Sequence, residues 1–227
     1  MNKWKEIWNQ ADRVNNHILE ILIKADGFDS GAGSLSLQDW KNYTQEHYNK
    51  LSIQANDSIY DVGCGSGAFI FSLYLKNNKV GGTDYSSILI ELANKVMRNA
   101  DFKCNEASNL DSTYKYDIVT SHSVFHYFSS LDYAEKVVER MLLKSNKRVG
   151  IFDINDKSKE IDYYKIRGGG MNSQEYKKKY KGLNHFFYEK KWFEQIAKKH
   201  GLKIDIYDQS FESYSNSSLR FNVIIEK

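Results

Sequence analysis

The stretch Ser58-Ile-Tyr-Asp-Val-Gly-Cys-Gly-Ser-Gly-Ala-Phe-Ile-Phe71 decides how this chain folds. It reads as a buried β-strand that runs into a glycine loop and then a helix. Glycines alternate at Gly63, Gly65 and Gly67, and Asp61 sits two residues before the first of them. Glycine adopts positive φ freely and carries no Cβ, so a ligand can press against bare backbone. The helix that follows offers free N–H groups at its start. A nucleotide-like cofactor is the first expectation.

Working outward, the pattern after residue 58 alternates between strands and helices. Strands are predicted at Ser58–Val62, Lys79–Thr83, Asp101–Cys104, Asp117–Ser121 and Arg148–Asp153, and helices at Ala68–Lys76, Ser87–Asn99 and Tyr133–Leu143. This βαβ alternation implies a parallel sheet with helices on both faces. Its ligand edge is then the edge formed by the C-terminal ends of the strands. A helix at Glu189–His200, ended by Gly201, precedes two last strands at Leu202–Tyr207 and Arg220–Ile225. Those two are too close for a helical crossover, so an antiparallel pair is expected.

Before residue 58 the chain reads as a helical cap. Apolar positions at Trp4, Ile7, Trp8, Ala11, Val14, Ile18 and Leu22 have helical spacing. A loop follows over Asp26-Gly-Phe-Asp-Ser-Gly-Ala-Gly-Ser34, and Ser36 with Asp39 forms a capping-box-like start to a second helix. Trp40, Tyr43, His47 and Leu51 share one face of that helix. The chain therefore divides into a cap (1–52), a cofactor-binding core (53–155), a basic insert (156–187) and a closing helix with two strands (188–227).

Composition narrows the class. The 227 residues suit one domain, and 41% hydrophobic content is enough for a core. No apolar run is long enough to span a membrane, and the first residues lack the apolar core of a signal peptide, so a cytoplasmic protein is expected. Cys64 and Cys104 make no disulfide framework, and no Cys/His cluster has metal-ligand spacing. A net charge of +3 is too small to imply nucleic-acid binding.

Further features agree with the glycine loop. Its G-x-G-x-G spacing differs from the G-x-G-x-x-G of dinucleotide folds. Asp84 ends the second strand, 21 residues after Gly63, where an acid can accept both ribose hydroxyl protons. Its plainer reading is a turn aspartate. Tyr85 next to it can lie against an adenine face. Glu106 can accept from an exocyclic amine and the Ala107 N–H can donate to a ring nitrogen, although a surface glutamate is the simpler account. The segment Asp117-Ile-Val-Thr-Ser-His-Ser-Val-Phe-His-Tyr-Phe128 brings Ser121, His122 and His126 to the ligand edge.

This set resembles the class I S-adenosylmethionine-dependent methyltransferases. The resemblance rests on Tyr60-Asp-Val-Gly-Cys-Gly-Ser-Gly67, the acid in Gly82-Thr-Asp-Tyr-Ser86, the Glu106-Ala107 pair, the Asp117-Ile-Val strand and the antiparallel ending. It implies a Rossmann-like, mostly parallel seven-stranded sheet and S-adenosylmethionine as methyl donor, with S-adenosylhomocysteine as product. By this likeness Asp61 and Gly63 hold the methionine part, Cys64, Gly65 and Gly67 shape the turn beside it, Asp84 and Tyr85 meet the ribose and adenine, Glu106 and Ala107 read the adenine edge, and the backbone near Ser121 touches the methionine end. The family usually has Asp where Glu106 stands. The D/N-P-P-Y motif of amino-group nucleic-acid methylases is absent, because the chain has no proline.

The expected chemistry is in-line displacement on the sulfonium methyl, in which the protein mainly aligns the nucleophile. A hydroxyl acceptor needs a base, and a carboxylate does not. His126 is the first candidate base, with His122 and His185 as alternatives. Asp153 and Asn155 are candidates to orient a substrate hydroxyl, and Tyr43 with His47 to form a lid. The segment Lys157–Lys181 holds eight basic residues against three acids. It reads either as a solvated face or as steering for an anionic acceptor. The favoured function is O-methylation of a small, anionic or saccharide- or nucleotide-linked metabolite in bacterial biosynthesis. A methylase of RNA or protein, a non-catalytic cofactor-binding module and a nicotinamide oxidoreductase are the alternatives.

Overall fold

The computed structural model of the chain describes residues 3–29, 34–182 and 184–227; the side chains of 3–13, 173, 176 and 177 lie outside that description. So do two sequence expectations: the part of the glycine-containing loop at 30–33, and the stripe positions Trp4, Ile7, Trp8 and Ala11. The elements in order are α1 (Lys3–Ala25), α2 (Leu37–Lys50), β1 (Ser58–Val62), α3 (Phe71–Leu75), β2 (Lys79–Asp84), α4 (Ser87–Val96), β3 (Asp101–Cys104), β4 (Tyr116–His122), α5 (Leu131–Lys144) and β5 (Ser145–Asn155). Then come α6 (Glu160–Gly168), α7 (Ser173–Lys179), α8 (Lys190–Lys199), β6 (Lys203–Asp208) and β7 (Arg220–Glu226).

The strands form one seven-stranded sheet in the order β3-β2-β1-β4-β5-β7-β6. Strands β1 to β5 pair in parallel, and β7 pairs antiparallel with both β5 and β6. Chain order reverses between β1 and β4, which makes the loops after these two strands the crevice of the sheet. The mixed sheet with its antiparallel ending is the architecture the sequence pattern implied.

Strand alternation sorts the core into two layers. In β1, Ile59 packs on one face with α1 to α4, while Tyr60 and Val62 pack on the other with α5 and α8. Leu19, Leu22 and Ile23 of α1 and Trp40, Tyr43 and Tyr48 of α2 join the first layer. Burying such side chains stabilises by about 1.5–3 kcal/mol each. The four α2 residues expected on one face are all buried. Of the described α1 stripe positions, Leu22 is buried and Ile18 packs on this layer as expected, but Val14, expected inside, is 59% exposed, and Leu19 is buried as well.

Several boundaries move for physical reasons. The helix expected from Ala68 begins at Phe71, because positive-φ Gly67 first directs the chain through turns that bond Gly67 to Cys64 and Ile70 to Gly67. The insert contains α6 and α7. It leaves and returns at one point, where Asp156 bridges Tyr188, the Lys157 N–H donates to the Tyr188 carbonyl and the Tyr188 N–H to that of Asn155. Among the described residues, no helix is long and apolar enough to cross a membrane.

Candidate active site

A cleft of about 800 Å³ opens at the crevice. Its first wall is the glycine loop. Thr83 on β2 accepts hydrogen bonds through its carbonyl from the N–H groups of Gly63 and Cys64, at 2.7 and 3.0 Å, which pins the loop to the neighbouring strand. Gly63, Gly65 and Gly67 have φ of 74°, 54° and 89°. A side chain at any of them is strained by this backbone region, and would also displace a neighbouring side chain. A Cβ on Gly63 would meet Val124, one on Gly65 would meet Asp26, and one on Gly67 would meet Met97. The glycines thus let other parts of the chain, rather than only a ligand, close on the loop.

Three carboxylates stand along this wall. Asp61, at the end of β1, is buried and accepts from Thr120 Oγ1 at 2.7 Å. Burial pushes its carboxyl up to about 7, with Thr120 pulling the other way and the acids nearby adding to the rise. Asp84, at the end of β2, accepts the Gly65 N–H at 2.9 Å with one oxygen and the Ser86 N–H at 2.8 Å with the other. Asp26, just past α1, accepts the Ser66 N–H at 2.7 Å. Burial pushes Asp26 to about 7 as well, against the Ser66 hydrogen bond. Among the described residues, none of the three has a cationic side chain at ion-pair distance. Burial first, and then these acids, push the Cys64 thiol well up, so it is unreactive packing.

Next along the cleft are Tyr85, which is 78% exposed, and the Glu106-Ala107 pair. Glu106 Oε2 accepts the Tyr133 hydroxyl at 2.9 Å, so one oxygen of that carboxylate is already engaged.

The opposite end is built from imidazoles, phenols and guanidinium groups. His122, His126, His185, Tyr163, Arg167 and Arg220 line it. His126 is buried and its Nδ1 has no hydrogen-bond partner. Burial lowers its pKa well below the usual imidazole value, and Arg220 adds to the effect. Burial likewise brings His122 down to about 3 and His185 to about 4. All three rings are neutral near pH 7. His185 Nδ1 and the Tyr163 hydroxyl share a 2.5 Å hydrogen bond, and the Arg220 guanidinium lies 5.8 Å from the Tyr163 ring.

Behind this end lies a buried polar network. His122 Nε2 and the Tyr43 hydroxyl are 3.0 Å apart, and Tyr43 also donates to Gln209 at 3.2 Å. Asp153 accepts from Ser123, Tyr214 and Gln209 at 2.8, 3.1 and 3.3 Å, and Arg220 Nε lies 3.5 Å from it. Burial favours the neutral form of Asp153, but the Arg220 charge outweighs it and holds the carboxyl at about 2. Asp153 and Ser123 both have positive φ, 61° and 58°. Strain in two bonded non-glycine residues at the sheet edge persists only where the surroundings over-determine it, and such strain clusters at functional sites.

Of the residues singled out from sequence, Asp61, Gly63, Cys64, Gly65, Asp84, Tyr85, Glu106, Ala107, His122, His126 and His185 line one cleft. Gly67, Ser121, Tyr43 and Asp153 stand behind its wall; the Ser121 hydroxyl, for example, donates to the Val62 carbonyl at 2.8 Å. Asn155 and His47 are also buried away from the cleft. Asn155 takes Arg220 through its side-chain oxygen and donates to the Phe186 carbonyl at 3.0 Å. Of the described residues within Lys157–Lys181, Tyr163, Ile166 and Arg167 reach the wall; the described lysines are solvent-exposed, and the side chain of Lys177 is outside the description.

Residues 53–201 match the profile of the methyltransferase domain family. The chain belongs to this methyltransferase family. Over 96 residues it is 33% identical to protein 235L of Invertebrate iridescent virus 6, which carries a methyltransferase name; the match takes in 37% of this chain and 36% of that protein. The chain spans less than half the length of the curated relatives it matches. Among solved structures, the magnesium protoporphyrin IX methyltransferase of Synechocystis with bound S-adenosylhomocysteine aligns at a TM-score of 0.62 and 15% identity, over 93% of this chain and 98% of that one. An S-adenosylmethionine-dependent methyltransferase of Clostridium acetobutylicum aligns at 0.60 and 17%, over 97% and 98%. At these identities the likeness is one of fold.

Among the cleft residues not singled out from sequence are the charged and phenolic groups Asp26, Tyr163, Arg167 and Arg220. Two signals were available. Arg220 heads the mostly apolar strand Arg-Phe-Asn-Val-Ile-Ile, and a charge there asks for a partner. Tyr163 and Arg167 are one helical turn apart.

Proposed function

We propose that this methyltransferase transfers the methyl group of S-adenosylmethionine to a small-molecule acceptor, at an oxygen nucleophile of an anionic metabolite. The observation that carries this reading is the polarity of the cleft. One end is lined by uncompensated carboxylates, and the other by two arginines and neutral imidazoles. The donor set fits the cofactor. Its ammonium and sulfonium are cations, its ribose diol suits Asp84, and its adenine suits Tyr85 with Glu106 and Ala107. When bound, the cofactor supplies a methyl group already activated for displacement.

This chain's residues then have separable tasks. Asp84, held by two backbone N–H groups, keeps its orientation before any ligand arrives. Arg167 lines the far end beside the Arg220–Asp153 pair and favours an anionic acceptor there. His126 is the proposed base for a hydroxyl acceptor. It is neutral, it lines the cleft, and its carbonyl is anchored by the Phe186 N–H at 2.8 Å. A carboxylate acceptor needs no base, and His126 would then only position it. A cleft of about 800 Å³ is in the size range of small-molecule sites. The fold and the family leave a biosynthetic role open to the same test. Isothermal titration with S-adenosylmethionine, followed by turnover of an acceptor panel of hydroxyls, carboxylates and phosphates, tests the reading; turnover confined to amines would overturn the oxygen assignment.

A further inference from the structure

Two imidazoles stand side by side in the cleft, and their supports differ. The ring centroids of His126 and His185 are 4.8 Å apart. The Phe186 N–H donates to the His126 carbonyl at 2.8 Å, and Asn155 donates to the Phe186 carbonyl at 3.0 Å, so the segment carrying His185 is clamped beside His126. Among the described residues, His126 Nδ1 has no hydrogen-bond partner. His185 Nδ1 instead shares its 2.5 Å hydrogen bond with the Tyr163 hydroxyl.

Tyr163 is fixed by its own packing. It comes from α6 of the insert, is buried, and sets its ring edge-on to Phe187 at 5.1 Å in a small cluster with Leu219. In a phenol–imidazole pair the phenol O–H is the stronger donor and the bare ring nitrogen the stronger acceptor. The hydroxyl therefore donates and Nδ1 accepts. The His185 ring is uncharged near pH 7, because burial first, and then Arg167 and Arg220, lower it to about 4. An uncharged imidazole has one N–H, and an accepting Nδ1 leaves that proton on Nε2. Nε2 makes no hydrogen bond to the described residues, and the ring lines the cleft.

Resting on the oxygen methylation and the His126 base proposed above, we propose that Tyr163 is a positioning residue that fixes the Nε2–H tautomer of His185, and that His185 holds the acceptor oxygen as a hydrogen-bond donor. His185 is then not a base. In the transfer, the acceptor oxygen bonds to the methyl carbon as the bond between sulfur and that carbon breaks. The electron pair of the broken bond stays on sulfur, any acceptor proton passes to His126, and His185 keeps its own proton throughout. A donor at this point also selects the acceptor atom. A hydroxyl or carboxylate oxygen has a lone pair left to accept from His185 while another attacks the methyl group. An amine nitrogen has one lone pair, and the new bond uses it.

The test is nitrogen NMR of the full chain with isotope-labelled histidine, in wild type and Tyr163→Phe. Phe keeps the ring packing and removes the hydroxyl. Wild type is expected to show His185 as the Nε2–H tautomer, and the variant a mixture in which the Nδ1–H form appears. A wild-type Nδ1–H tautomer, or an unchanged tautomer in the variant, overturns the proposal. Kinetics with the oxygen acceptor that wild type turns over give the second readout. Tyr163→Phe should raise its KM roughly tenfold, with a smaller change in kcat. His185→Gln supplies an amide N–H near the lost Nε2–H and cannot take a proton, so it should recover roughly tenfold of the kcat/KM that His185→Ala loses. In the His185→Gln background, Tyr163→Phe should cost no more than about twofold, whereas a purely structural Tyr163 would cost the same in both backgrounds. Equal cost, or a Gln variant as inactive as the Ala variant, overturns the proposal. Should Tyr163→Phe fail to fold, the wild-type tautomer and the comparison of Gln with Ala at 185 decide. Wild-type turnover confined to amines overturns the oxygen reading itself, a result told apart because it is seen without any variant and independently of the tautomer.

Discussion

The two ends of the cleft are built on opposite plans. At the glycine-loop end, backbone geometry does most of the work: positive-φ glycines, N–H groups bonded to carboxylates, and acids left without cations. At the far end side chains do it: Arg220 neutralises Asp153, and Tyr43, Gln209, Tyr214 and Ser123 complete a buried network. The first end gathers carboxyl groups whose charge is relieved by protons or by a cationic ligand. The second is already balanced, so it can be rigid before the acceptor arrives. A cofactor common to many enzymes calls for the first plan, and a particular acceptor calls for the second.

Substitutions at the two ends should therefore have unequal effects. Arg220→Met should have the largest effect, because it leaves Asp153 as a buried unpaired charge. A loss of about 3–5 kcal/mol of folding stability is expected in denaturant melts; a loss under about 1 kcal/mol would show that the far end is not held by this pair. Next, His126→Ala should lower kcat with a hydroxyl acceptor by roughly 10²-fold or more while leaving cofactor Kd within about twofold. Near-wild-type turnover would remove His126 as the base. Asp84→Asn should do the reverse, weakening cofactor binding by about tenfold through the ribose contact while leaving the His126 end intact. Equal loss of cofactor affinity in both variants would erase the distinction between the ends.

The smallest effect concerns pH. Asp26 and Asp61 are raised to about 7 in the folded protein, from an ordinary 3.8. Between these values the folded state binds protons that the unfolded state does not, so the ligand-free protein should lose stability as pH rises through this window. Asp61→Asn should flatten that slope in thermal melts. The far end has the opposite sign: burial lowers His122 and His185 from 6.5 to about 3 and 4, so below pH 6.5 the unfolded state binds the extra protons and stability falls as pH drops through that window.

What the sequence made legible follows the same division. The glycine loop, Asp84 and the Glu106-Ala107 pair could be read because each is a short pattern at the end of a strand, where local backbone form dictates residue type. Asp26 could not, because its contact with Ser66 joins positions 40 apart in the chain and depends on how α1 lies on the loop. Arg220 pairs with Asp153 across two strands whose proximity only the sheet order reveals. Tyr43 and Asp153 were found for their type and position, yet the network behind the wall takes them away from the cleft surface. On α1, Val14 and Leu19 show the limit of periodicity: spacing identifies a helix, but its rotation is set by what it packs against.

The most direct test of the account is a calorimetric titration of the wild-type chain with S-adenosylmethionine, run beside NAD. One site of micromolar affinity for S-adenosylmethionine and no heat of binding for NAD are expected. Binding of NAD, or no binding of either S-adenosylmethionine or S-adenosylhomocysteine, would contradict the account.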